Sequence, residues 1–329
     1  MRYLPLVLAT ALLAACKTSP ELARMAEDKT PERPTAVQES VYSSTGLNGL
    51  APFEGSVTVF TRADMQREQN TLRGTGTMSR LLVPGENRVQ VTRLDLQRLW
   101  LIDVNRSEYR DCPLDGCPPS PKEEEEARQA ARDSGLERGC TMRVVSRDVQ
   151  VRNTGTRQQV SQWNAEQWVA ELTMVLEDRA QRRSTSTLSA QLWTVPATDA
   201  MRAAREIEQR YETDAERAIR ATAVRRVPVQ LRELVDSLMA EALKAEDRNA
   251  LFDLERDLAQ VSGQPVRTTL SWDVRGNACG GMGLGPMARV LGAPAGAPLF
   301  SITHEVRRYE VAPVRDSQFQ LSGLYKRRN

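Results

Sequence analysis

Short segments rich in β-branched and aromatic residues recur along this chain at roughly ten-residue spacing, with turn residues between them. That rhythm restricts the fold more than any other feature. Phe53 to Arg62 alternates and carries Val57, Val59 and Phe60. Gly74 to Val83, Arg88 to Leu94 and Leu99 to Val104 follow, the second entered through Pro84-Gly85-Glu86-Asn87. The spacing predicts an antiparallel meander. Strands resume at Thr141 to Arg152, Gln167 to Leu176 and Thr185 to Val195. In the middle segment Trp168, Ala170, Leu172, Met174 and Leu176 fall on one face, because strand side chains alternate. Val266 to Val274 and Leu299 to Val311 read as the last strands, and Asp316 to Tyr325 closes the chain.

Between the two last groups the period changes. Pro196 stops the sheet, and Thr198 or Asp199 is a candidate N-cap. From Ala200 to about Val261 apolar residues recur every three or four positions: Met201, Ala204, Ile207 and Tyr211, then Leu231, Leu234 and Leu238 after Pro228. This predicts a helical insertion over 200–262. Its polar faces mix Arg with Glu, which favours helices covering the sheet over helices lying on a membrane. The pattern as a whole predicts an α+β protein, a curved antiparallel β-sheet with a helical cover inserted before the last strands. Pro119 to Gly139 is an acidic excursion. Consecutive Glu residues there point in different directions around a helix and serve solvation. The glycines between Gly276 and Gly296 lack phosphate-loop spacing and read as a loop.

The N-terminus is of another kind. Met1-Arg2-Tyr3 precedes an apolar run from Leu4 to Ala15, of signal-peptide length and short of the ~18–20 residues a membrane span needs. The run ends at Leu13-Ala14-Ala15-Cys16, which resembles the lipobox of bacterial lipoproteins. The resemblance implies that residues 1–15 are a signal peptide cut before Cys16, whose thiol then carries acyl chains of the palmitate type. Several acyl chains on one residue suffice for stable membrane anchoring. Lys17 stands where Asp is the usual inner-membrane retention signal, which leans towards the outer membrane, facing the periplasm. Lys17 to Leu50, rich in Pro, Ser, Thr and Glu, reads as a flexible lipidated tether over 16–50, with order beginning near Phe53 and one domain over 51–329.

The meander from Phe53 to Val104, the strands from Thr141 to Val195 and the helical cover together resemble the half-barrel of the lipoprotein localisation carriers, which bind acyl chains. No short motif supports this likeness. The excursion at Pro119–Gly139 and the helices at Ala200–Val261 depart from so compact a fold.

A net charge of +2 gives no electrostatic case for nucleic acid. Beyond Cys16 the cysteines are Cys112, Cys117, Cys140 and Cys279, an even number that in an exported chain suggests disulfides. Cys112 and Cys117 flank a turn-forming Pro-Leu-Asp-Gly and are able to pair, although three pairings are open. The spacings lack the paired short repeats of a zinc ribbon, so no metal and no cofactor are expected. The single histidine, His304, stands in a predicted strand, with Arg308 where a second zinc-binding His of HExxH would be. No serine sits in a GxSxG elbow, and Asp95 and Asp103 are not marked out as an acid/base pair. The sequence therefore predicts a non-catalytic binding module. Its candidate apolar face is Val57, Val59, Leu99, Leu101, Trp168, Leu172, Leu192 and Leu270, residues that would equally make an ordinary core. The expected ligand is a lipid or acyl chain. The alternative is an interaction lipoprotein that docks an envelope protein through its helical segment.

Overall fold

The computed structural model describes residues 28–46, 49, 51–83, 85–118, 124–125, 129, 142–218, 260–278 and 298–328. These residues build one twelve-stranded sheet. In chain order the first strands are β1 (Glu32–Ser44), β2 (Phe53–Arg62), β3 (Met65–Gly74), β4 (Glu86–Arg93), β5 (Arg98–Asp103) and β6 (Glu108–Cys112). The second group is β7 (Met142–Val160), β8 (Trp163–Asp178), β9 (Arg183–Val195), β10 (Gln264–Gly276), β11 (Phe300–Arg315) and the short β12 (Lys326–Arg327). Two α-helices accompany them, α1 (Thr77–Leu82) and α2 (Asp199–Ala218).

The spatial order is β12-β6-β5-β4-β3-β2-β1-β11-β10-β9-β8-β7. Two antiparallel meanders therefore adjoin at β1 and β11: the first runs outward from β1 to β6, and the second runs inward from β7 to β11. Among the described residues only the β12–β6 pairing is parallel, which makes the sheet mixed. The chain leaves β6, next to the edge strand β12, and re-enters the sheet at β7, the opposite edge.

The expected α+β class is thus corrected: the protein is mostly β. The strands are longer and more numerous than the pattern predicted, and among the described residues helix is a minor component, chiefly α1 and α2. Of the insertion expected over 200–262, the helical stretch described is α2; residues 219–259 lie outside the described residues. The acidic excursion does too, apart from Glu124, Glu125 and Gln129, of which each is helical.

Two strands correct the sequence reading. The tether expected over 16–50 contains β1, the central strand that joins both halves. β1 is polar and holds Pro34, yet it pairs along its whole length with the longer β11 and from Ala36 to Ser44 with β2, and Thr35, Ala36 and Val37 are buried. Pro34 stands directly opposite Pro313, beyond the reach of β2 and β10, so neither missing N–H leaves a gap in a second ladder. Residues 1–27, Cys16 among them, lie outside the described residues. The second correction is β3, whose sequence MQREQNTLRG shows no apolar alternation. It is held by full ladders to β2 and β4, the kind of context that overrides strand propensity. The strand expected at Gly74–Val83 is instead the end of β3 followed by α1.

α2 begins where the sequence indicated. Thr198 is its cap: its hydroxyl accepts from the Met201 N–H at 3.2 Å, and its carbonyl from the Arg202 N–H at 2.9 Å. Met201, Ala204, Tyr211 and Ala215 form the buried stripe, which packs on β11, β1 and β2. The C-terminal segment supports the sheet through Arg62, which is 7% exposed. Its guanidinium donates to Thr35 Oγ1 at 2.9 Å and Val314 O at 2.7 Å, pairs with Asp316 at 2.6 Å, and stacks 4.5 Å from the centre of the Phe319 ring. Cys112 is disulfide-bonded to Cys117, which closes the turn after β6. Cys140 and Cys279 lie outside the described residues.

Candidate ligand-binding face

Directly opposed residues in neighbouring strands share a face. The register therefore connects distant parts of this sheet. One row runs Trp168–Leu192–Thr268–His304–Tyr42–Gly55–Leu72 from β8 to β3. The next row on the same face is Ala170–Ala190–Leu270–Ile302–Ser44–Phe53–Gly74. Together they form an apolar patch across the middle of the sheet, with few polar groups in it.

All of the residues predicted for the apolar face lie on this one side. Trp168, Leu172, Leu192 and Leu270 come together in and beside the patch. Leu172 and Leu270 are wholly buried and belong to a core cluster with Met174, Leu188 and Trp272; Trp168 and Leu192 are half-buried. Val57, Val59, Leu99 and Leu101 are on the same face but not in the patch. Glu68 and Gln90 stand between Val59 and Leu101, and Gln66 and Thr92 lie in the row that holds Leu99. Val57 and Leu99 are buried, whereas Val59 and Leu101 are half-buried.

Three residues central to the patch escaped sequence reasoning. Tyr42 sits on β1, inside the stretch read as a tether; the alternation around Val41 and Tyr42 was its only signal. Its ring lies over Gly55, and its hydroxyl donates to Asn70 Oδ1 at 2.7 Å and approaches Thr71 O at 2.9 Å. Burial, reinforced by the charge of Glu86, pushes the phenol up to about 12. Phe53 meets the Tyr42 ring edge-on, with centroids 6.3 Å apart. His304 stands between Thr268 and Tyr42, and burial lowers its pKa, so the imidazole is neutral at pH 7. Trp168 supplies a further polar group, besides the hydroxyls of Thr268 and Ser44. Its Nε1 is buried and has no hydrogen-bond partner among the described residues.

The opposite face differs in chemistry. A hollow of about 590 Å³ over β1–β3 and β11 takes in Ser43, Ser56, Thr71, Thr303, Glu305 and Arg307 from that face, together with Tyr42, Gly55 and Leu72 of the patch rows. Glu305 is held by Arg267 at 2.6 Å and Arg307 at 2.8 Å. Asp95 is engaged by Arg93, which keeps its carboxyl below the usual range, and Asp103 accepts from the Arg106 N–H at 3.0 Å. Among the described residues no group of three His, Cys, Asp or Glu side chains is placed to hold a metal. Comparison of the chain with protein-family models, with curated proteins and with solved structures finds no match.

Proposed function

We propose that this chain is an envelope lipoprotein, anchored through acyl groups on Cys16, that binds an apolar ligand such as a lipid acyl chain along the patch from Trp168 to Leu72. One observation carries the reading. Two adjacent cross-strand rows bring Trp168, Leu192, Ile302, Phe53 and Leu72, all half-buried, onto a single face. An apolar surface with few fixed polar groups suits such a ligand. Trp168 Nε1, without a partner among the described residues, offers a donor to an ester or amide carbonyl at the head of the chain. The neutral His304 adds no charge for the ligand to desolvate. Binding requires no covalent step, and none of the residues named here acts as a catalyst.

The docking alternative loses support where it is described. The apolar stripe of α2 is spent on β11, β1 and β2, leaving a solvent face of mixed Arg and Glu.

The anchor and the site are tested separately. A Cys16→Ser variant is expected to lose labelling by palmitate analogues and to leave the membrane fraction; unchanged labelling sinks the anchor. Protein purified with mild detergent is expected to carry lipid detectable by mass spectrometry after solvent extraction. Leu192→Glu is expected to lose that lipid and apolar-dye binding while keeping the wild-type circular dichroism spectrum. A folded Leu192→Glu protein that still carries the lipid contradicts the site.

A further inference from the structure

The two edges of the sheet are built differently. At one, β6 has five residues, is followed at once by the Cys112–Cys117 bridge, and is capped by β12. At the other, β7 has nineteen residues and, among the described residues, pairs only with β8. Proteins normally blunt such edges, since a row of free N–H and C=O groups is a template for another strand. β7 has two irregularities, between Val144 and Ser146 and between Asn153 and Arg157. They bracket a regular run, Ser146–Asn153, in which every residue except Val149 and Val151 is exposed.

We propose that a second copy of this chain docks on β7, antiparallel and about a two-fold axis at Gln150, so that two sheets become one. The charges select this register. Facing residues must share a face of the joined sheet. Asp148, Gln150 and Arg152 lie opposite Thr173, Glu171 and Val169 of β8, on the polar side. Arg147, opposite Met174, lies on the other side. Within the regular run, Asp148 can therefore face only one arginine, Arg152 of the second copy, and only with Gln150 on the axis.

The two-fold makes that pair twice. Arg152 has no ion pair of its own among the described residues, and Asp148 accepts only from Gln150 Nε2, at 2.7 Å. On the apolar side the same register sets Val149 against Val151 of the second copy, again twice. Val149 already packs on the core cluster around Leu172 and Met174, so the contact extends an existing core. Arg147 meets Asn153, and no like charges oppose each other. Beyond the irregularities Arg143 would meet Arg157, which ends the ladder where the regular run ends. Such an interface is isologous and closes on itself, leaving no free long edge at β7.

The test uses the full chain in detergent solution. Gln150→Cys is expected to give a disulfide-linked homodimer on oxidation, because residue 150 faces its own copy. Gln158→Cys, exposed on the same strand but off the axis, is expected not to. Sedimentation is expected to show a dimer for the wild type, a monomer for Asp148→Arg, and a dimer again for Asp148→Arg/Arg152→Asp. Recovery by the double exchange separates a charge-set register from simple damage to the strand. The proposal is overturned by a wild-type monomer without cross-linking, by equal cross-linking at 150 and 158, or by failure of the double exchange to restore the dimer. Cross-linking of the Gln150→Cys variant to a different protein also overturns it, since β7 would then be a site for a foreign strand.

Discussion

Tyr42 and Gly55 face each other across β1 and β2, and the tyrosine ring occupies the space that a side chain at 55 would need. A Cβ there would lie 2.4 Å from Tyr42 Cζ and 2.1 Å from Thr71 O. The glycine is required by close approach: it lets the ring lie flat across the sheet and reach Asn70 with its hydroxyl. Gly55→Ala is expected to lower stability by about 1–3 kcal/mol, as overpacking does. Denaturant titration checks this. Combining it with Tyr42→Leu should recover part of the loss, since the smaller side chain vacates the contact.

Arg62 ties three parts of the chain together: Thr35 on β1, Val314 on β11, and the 3-10 turn Asp316–Phe319. Arg62→Met is expected to cost about 2–3 kcal/mol. That is less than for a wholly buried pair, because Asp316 is partly exposed and keeps Arg33 at 3.3 Å. Limited proteolysis should then cut the C-terminal segment sooner than in the wild type. Unchanged cleavage would show that the segment is held by other contacts.

Burial lowers the pKa of His304 below its ordinary 6.5. In the unfolded chain the imidazole binds a proton at about pH 6.5, and in the folded chain only at lower pH. Between those values the unfolded state holds more protons, so stability falls as the pH drops and levels off below the folded pKa. His304→Gln should remove that part of the slope. Denaturant midpoints at successive pH values decide it, and equal slopes would count against a buried, neutral ring.

The Cys112–Cys117 bridge closes a short loop, for which chain entropy gives about 2 kcal/mol. Peptide mapping without reduction should recover the two cysteines in one linked fragment. Cys112→Ser/Cys117→Ser should lower stability by about that amount while leaving β7 and the patch intact. Linkage of either cysteine to another partner would contradict the pairing.

Where the sequence was legible, the reason is alternation against a buried face. β8, β9 and β10 carry Leu172, Leu188 and Leu270 at strand spacing, and each was visible as a strand within a few residues. α2 was visible because Thr198 and the Met201, Ala204 and Tyr211 stripe are local signals. β1 and β3 were hidden for the opposite reason. Both are held by ladders on either side: for β1 one of them comes from far along the chain, as in the pairing of Tyr42 with His304, whereas β3 is held between its sequence neighbours β2 and β4 despite its polar sequence. The candidate face was half legible. Its apolar members were readable one strand at a time, but the register that brings Trp168 and Phe53 onto one side is a long-range property. Tyr42, the ring at the centre, stood in a stretch whose prolines and serines imitate a linker.

The central claim is that an acyl chain lies along the patch beside Trp168. Titration with a brominated fatty acid, which quenches indole fluorescence on contact, tests it most directly. Wild-type emission should fall saturably, and Trp168→Phe should abolish most of the quenchable signal while leaving the folded spectrum of the other tryptophans. Emission that stays constant through the titration, or quenching that is the same without Trp168, would contradict it.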